Sequence, residues 1–241
     1  MNWLKYSSPN TFYPLAAKLI PWFASAAAVL TLYGLYLGLL VAPTDFQQGD
    51  SYRIIFVHVP ASILSMFLYV VMALYAALGI TLNARLSYMM ATSIAPTGAM
   101  FTFLALLTGS FWGKPTWGTW WVWDARITSE LILLFLYIGY MALQAAIDDK
   151  RRSDRASAVL AIVGVINVPI IYFSVKWWNT LHQGSSINFG KSSTMAPIML
   201  KAMLIMMVAF WLYSVAVILT RARREIEDRE QKATWLKEVK D

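Results

Sequence analysis

Chemistry in this chain has few places to start. Only two histidines occur, His58 and His182, and cysteine is absent altogether. The missing thiols exclude disulfides, zinc–thiolate centres, iron–sulfur clusters, thioether haem attachment and a cysteine nucleophile. Two neutral imidazoles facing each other across a gap can serve as both axial ligands of a haem iron, and one such haem would use up the supply. The same pair can hold a copper or zinc ion, with Asp45, Asp50 or Asp124 as candidate further ligands. Either ring can also stand alone as a polar cap at a helix end.

The second concentration is of tryptophan, in Trp117-Gly118-Thr119-Trp120-Trp121-Val122-Trp123-Asp124-Ala125-Arg126-Ile127-Thr128. Taken as a helix, this stretch puts Trp117, Trp120, Trp121 and Asp124 on one face, at i, i+3, i+4 and i+7. Such a stripe lies flat in a membrane interface and offers indole surface to lipid or to a planar ligand. Tryptophan brings large rigid area at small entropic cost, which suits a platform for a flat apolar molecule. Asp124 and Arg126 form either an interfacial ion pair, worth about 0–1 kcal/mol, or a site where the guanidinium fork meets a ligand carboxylate.

The elements that must position these residues are membrane spans. Apolar residues make up 59% of the 241 positions and charged residues only 14%, against about 25% charged in soluble domains. Mean hydropathy is +0.54. Those values exclude a disordered chain and speak against a soluble domain. A spanning helix needs roughly 20 mainly apolar residues, and six windows qualify, at about 19–41, 58–80, 87–110, 127–147, 156–175 and 196–220. The first is too long for the apolar core of a cleavable signal and lacks a small-x-small site after it, so an anchored N-terminus is expected. Fourteen of the 20 Lys and Arg residues fall on one side of this topology and five on the other, with Lys201 at the border. By the retention of positive loops in the cytoplasm, the fold expected is a single all-α membrane domain of six helices with both termini cytoplasmic. The net charge of +7 then reports orientation rather than nucleic-acid binding. The tail 221–241, mixed in sign, reads as a solvated helical extension.

Three segments face outward, at about 42–57, 111–126 and 176–195, and both histidines lie in or beside them. So do seven of the eleven tryptophans: Trp112, Trp117, Trp120, Trp121, Trp123, Trp177 and Trp178. An aromatic belt would decorate both interfaces, yet the inner one offers only Trp3, Trp22 and Trp235.

The stretch Trp117 to Thr128 resembles the tryptophan-rich WWD signature of the haem-handling proteins of cytochrome c maturation, here the segment 112–128. Its continuation, Asp124-Ala125-Arg126-Ile127-Thr128-Ser129-Glu130-Leu131, is similar to that of the CcmC, or haem exporter protein C, family. The Pro-Val-Glu-Asn of synthetase-type relatives is absent. Tyr52-Arg53-Ile54 with His58-Val59-Pro60, and Lys176-Trp177-Trp178-Asn179-Thr180-Leu181-His182-Gln183, agree with the same family. The resemblance spans nearly the whole chain. It implies binding of haem b at the periplasmic face of a bacterial inner membrane, with His58 and His182 as axial ligands of the iron. The platform implied is Trp117, Trp120, Trp121 and Trp123, with Asp124 and Arg126 beside it. It also implies delivery of that haem to the chaperone CcmE, alongside the ATP-binding cassette subunits CcmA and CcmB and the small protein CcmD. Arg53, Arg126 and Lys176 are the candidate contacts for the haem propionates. No Gly-x-x-x-x-Gly-Lys-Ser/Thr loop is present, so the chain is expected to handle haem without being an enzyme, and ATP hydrolysis falls to CcmA.

Two further expectations concern how the histidines are mounted. His58, next to Pro60 at a helix start, is the fixed ligand, and His182, followed by Gly184, Ser185 and Ser186, is the mobile one. The chief alternative is a bis-histidine cytochrome b type electron-transfer subunit. Such proteins bury histidines deep in facing spans and often hold two haems, whereas these rings sit at segment ends and suffice for one. A secondary transporter would need ionisable groups near the bilayer midplane. The spans offer Asn167 and Gln144 there, with Glu130 within about one turn of its outer end.

Overall fold

The computed structural model describes residues 3–182 and 195–240. Gln183, Gly184, Ser185 and Ser186, named above, lie outside the described residues. Helix α1 runs Pro9–Leu35 and continues as a π-helical turn, Tyr36–Val41. A 3-10 turn at Asp50–Ile54 leads directly into α2, Ile55–Leu82. Then follow α3 (Arg85–Trp117), α4 (Ala125–Ala146), α5 (Lys150–Gly164), α6 (Asn167–Trp177), α7 (Pro197–Arg229) and α8 (Thr234–Lys240). With α5 and α6 joined end to end, six helices are long and apolar enough to cross a membrane.

These helices outrun the hydropathy windows, by ten residues at the start of the first. The reason is physical: the windows register only the hydrocarbon-facing length, whereas a helix keeps its backbone bonds as it enters the polar interface. One consequence concerns the tryptophan segment. Phe111 to Trp117 form the last turns of α3 and 125–128 the first turn of α4, so the connecting loop is only 118–124.

The core is largely apolar, yet hydroxylated residues share it and large apolar side chains also cover the outer surface. Ser62, Ser65, Ser93, Thr97 and Thr102 are buried, while Leu74, Phe103, Phe135 and Val163 face outward. Small and hydroxylated residues let helices approach closely where lipid offers no hydrophobic drive for association. Some of these hydroxyls return to their own helix, as Ser93 to the Met89 carbonyl at 2.7 Å and Thr102 to that of Gly98 at 2.8 Å, and others bridge helices, as Ser65 to Glu130 at 2.7 Å. Helix α2 packs along α3, α1 along α7, and α4 against α3, α5 and α6.

The break between α5 and α6 follows from Pro169. It cannot donate to the Val165 carbonyl, which instead accepts from Val168 at 3.0 Å, and Pro169 then sits in the first turn of α6, where a missing N–H costs little. Two side chains tie α6 to α4. Asn167 donates to the Ser129 carbonyl at 2.9 Å, and Arg126 to the Ile171 carbonyl at 2.8 Å.

At the opposite end of the bundle, Arg229 makes a two-pronged contact with Asp154 at 2.6 and 3.0 Å, and Arg85 pairs with Glu230 at 2.8 Å. The tail is not wholly solvated, contrary to the reading of 221–241 above. Ala222 and Ile226, one turn apart, carry the apolar stripe of α7 onward and are fully buried, and α8 tucks back with Leu236 buried and Trp235 edge-on to Tyr13. Both ends of the described chain therefore meet at one end of the bundle.

Candidate functional site

The expected helical stripe through the tryptophans does not form. Gly118 adopts φ 78°, a left-handed conformation suited to glycine, and its N–H closes on the Lys114 carbonyl, which ends α3. Residues 119–124 are irregular until Asp124 caps α4, its side chain accepting from the Ile127 N–H at 2.9 Å. Trp117, Trp120, Trp121 and Asp124 thus share no helical face.

What the loop does instead is bring three elements to one cavity. His58 and Ser62 reach it from α2, Gly109 from α3, Arg126 and Glu130 from α4, with Trp121 from the loop and His182 from the irregular segment after α6. The cavity is about 30 Å³ and open on one side, room for roughly one water. Both histidines of the chain face it.

His58 stands in the first turn of α2 with its Nδ1 3.0 Å from Thr108 Oγ1 and its ring edge-on to Trp112. Trp112 is itself pinned by an N–H bond of 2.8 Å to Gln48 in the preceding loop. Gly109 makes the approach of α2 and α3 fit, since a Cβ there would lie 3.0 Å from the imidazole Cε1. His182 places Nδ1 3.3 Å from Asp124 Oδ2 and lies 4.9 Å, centroid to centroid, from Trp117. Burial holds the His182 pKa below its ordinary value, outweighing the attraction of Asp124, so the ring is neutral at pH 7 and its lone pair is available.

The remaining sequence candidates are spread out. Trp121 lines the cavity, and its indole N–H is buried without a partner among the described residues. Trp120 and Trp123 are exposed at the rim, the first edge-on to Phe111 and the second to Trp121. Of the three cations considered, Arg126 alone lines the cavity. Arg53 instead clips the start of α2 to α1, donating to Asp50 at 2.9 Å and to the Gly38 carbonyl at 2.6 Å. Lys176 is exposed and lies over the Phe173 ring.

Sequence reasoning passed over Glu130 as part of the site. It is buried, accepts from Ser65 at 2.7 Å through Oε1, and leaves Oε2 without a hydrogen-bond partner among the described residues. The signal was available: an acidic residue within an apolar span is by itself a functional pointer. Thr108 and Ser62 carried no such signal, because hydroxyls are common in spans.

A family model described as "Heme exporter protein C" matches residues 2–237. The chain belongs to the haem exporter protein C family. Among its relatives is the haem exporter protein C of Escherichia coli (strain K12), 46% identical over 96% of this chain and 93% of that protein. That of Haemophilus influenzae is 44% identical, covering 98% and 96%. A Marchantia polymorpha protein described as a putative cytochrome c biosynthesis ccmC-like mitochondrial protein is 48% identical over 74% of this chain and 75% of its own length.

In this member of the haem exporter protein C family, Arg126 joins α4 both to α6 and, through Ser62 Oγ at 3.4 Å, to α2. Arg126→Leu is expected to lower stability by about 2 kcal/mol, the scale of a charged hydrogen bond, read as an earlier midpoint in denaturant titration of the purified protein in detergent. An unchanged midpoint would contradict that tie.

Proposed function

We propose that this chain holds haem b at the periplasmic face of the inner membrane and delivers it to the chaperone CcmE during cytochrome c maturation. It works beside the cassette subunits CcmA and CcmB and with CcmD. The observation that carries the reading is that the only two imidazoles of the chain, 124 residues apart in sequence, face one cavity with their Nδ1 atoms occupied by hydrogen-bond partners. The names of the relatives speak for haem export, and one of them for cytochrome c biosynthesis. The imbalance of Lys and Arg between the two ends supports a periplasmic site.

The donor set suits haem as cargo. His58 and His182 would take the iron, Arg126 a propionate, and the unpartnered Trp121 N–H a polar edge, with Trp117, Trp120 and Trp123 as apolar surround. Arg53 and Lys176 serve as propionate contacts only after reorientation. A macrocycle is far larger than this cavity, so loading requires the wall formed by Trp121 and His182 to part from α2 and α3. That wall has no regular secondary structure among the described residues, which makes it the element able to yield.

The test is to purify the protein, identify its haem by pyridine haemochrome, and mix it with haem-free CcmE. The expected outcome is one b-type haem per chain that moves to CcmE, and less transfer from Trp121→Ala at equal abundance. A c-type haem, or none, would overturn the reading.

A further inference from the structure

We propose that Thr108 and Asp124 are positioning residues that hold both imidazoles in one tautomer, with the hydrogen on Nδ1 and the Nε2 lone pair open to a metal. The proposal rests on the reading that these two rings are the ligands, and it adds what orients them.

Hydrogen counting makes the case for His58. Thr108 Oγ1 lies 2.6 Å from the Leu104 carbonyl and 3.3 Å from that of Ala105, so its single hydrogen is committed to its own helix. Toward His58 Nδ1, at 3.0 Å, the hydroxyl can then only accept. The ring must supply the hydrogen from Nδ1, which leaves Nε2 bare.

His182 reaches the same state by a different partner. Asp124 Oδ1 is taken by the Ile127 N–H at 2.9 Å, and Oδ2 faces His182 Nδ1 at 3.3 Å. A carboxylate only accepts, so Nδ1 again carries the hydrogen. Metal-bound histidines commonly direct the second ring nitrogen to such a partner, which fixes tautomer and angle. The two partners are unequal. A carboxylate pulls harder on the N–H than a hydroxyl does, so His182 is the more electron-rich ring and His58 the weaker donor. One aspartate thereby starts α4 and aims His182.

That double duty gives a test on which capping and positioning disagree. Asparagine caps a helix as well as aspartate does. In Asp124→Asn, however, keeping Oδ1 on the Ile127 N–H turns the amide NH2 toward His182 and drives that ring to the Nε2–H tautomer. Asp124→Ala loses the cap but leaves the ring free to choose. Nitrogen NMR of histidine-labelled, haem-free protein in lipid nanodiscs should show Nδ1–H on both rings of the wild type and Nε2–H on His182 in Asp124→Asn. Thr108→Val should give a tautomer mixture at His58 alone, restored by Thr108→Ser. On haem titration, Asp124→Asn should bind roughly 10–100-fold more weakly than wild type, with Asp124→Ala between them. Nε2–H on either wild-type ring, or Asn performing as well as or better than Ala, would overturn the proposal. Nδ1–H rings in a protein that takes up no haem would uphold the positioning and sink the ligand reading; Nε2–H rings in a haem-loaded protein would do the reverse.

Discussion

A variant with both His58 and His182 replaced by alanine is expected to accumulate in membranes at wild-type level and to be purified without haem. The abundance follows from how little each ring contributes to the fold. Among the described residues the His58 ring is held by a hydrogen bond to Thr108 and a backbone contact at Ala105, and the His182 ring by a hydrogen bond to Asp124, each worth about 1 kcal/mol. The long contacts of α2 with α3 and of α1 with α7 do not depend on either. The loss of haem follows from supply, because the chain holds no third imidazole and no thiol. Each single variant keeps one ligand and should bind haem more weakly, as a five-coordinate high-spin species, and added imidazole should restore the low-spin spectrum. Wild-type haem content in the double variant, read by absorption against protein concentration, would remove both residues from the role.

The second large effect lies in the packing that supports the site. A Cβ on Gly98 would overlap the ring of Tyr137. That ring is fully buried and anchored by its hydroxyl to the Ser65 carbonyl at 2.8 Å, one turn below the site residues of α2. It cannot swing aside without leaving an unpaired hydroxyl and separating α3 from α4. Gly98→Val is expected to cost about 3 kcal/mol or more, seen as loss of folded protein after detergent extraction. Gly98→Ala should be milder, and Tyr137→Leu combined with it should recover part of the loss. Additivity of the two changes in such a cycle would contradict the contact.

Much of the architecture was legible because lipid demands a crude, readable property. Apolar stretches as long as Leu19–Val41 or Ala196–Thr220 have few other uses, and the six helices follow from them. The pairing of His58 with His182 could be sought because imidazole is so scarce in this sequence. The local form of the tryptophan segment was not legible from its spacing. Its i, i+3, i+4, i+7 pattern is the one a helix would show, and a single left-handed residue, Gly118, decides otherwise. Arg53 and Arg126 look alike in sequence as cations beside an outer loop. Only packing separates the one that clips α2 to α1 from the one that lines the cavity. Thr108 is a hydroxyl in an apolar helix, indistinguishable in sequence from Thr102, which bonds only within α3. Its proximity to His58 arises from the register of α2 against α3, which no local pattern encodes. The tail was misjudged for a related reason. Charges dominate 221–229, and the buried pair Ala222 and Ile226 is too sparse to register against them.

The central claim is that one haem iron is held between these two rings. It is tested most directly by pulsed electron paramagnetic resonance on the ferric protein, purified with nitrogen-15 in histidine only. The account predicts two axial nitrogen couplings in the wild type and one in each of His58→Ala and His182→Ala. A single axial nitrogen in the wild type, or two surviving in either variant, would contradict it.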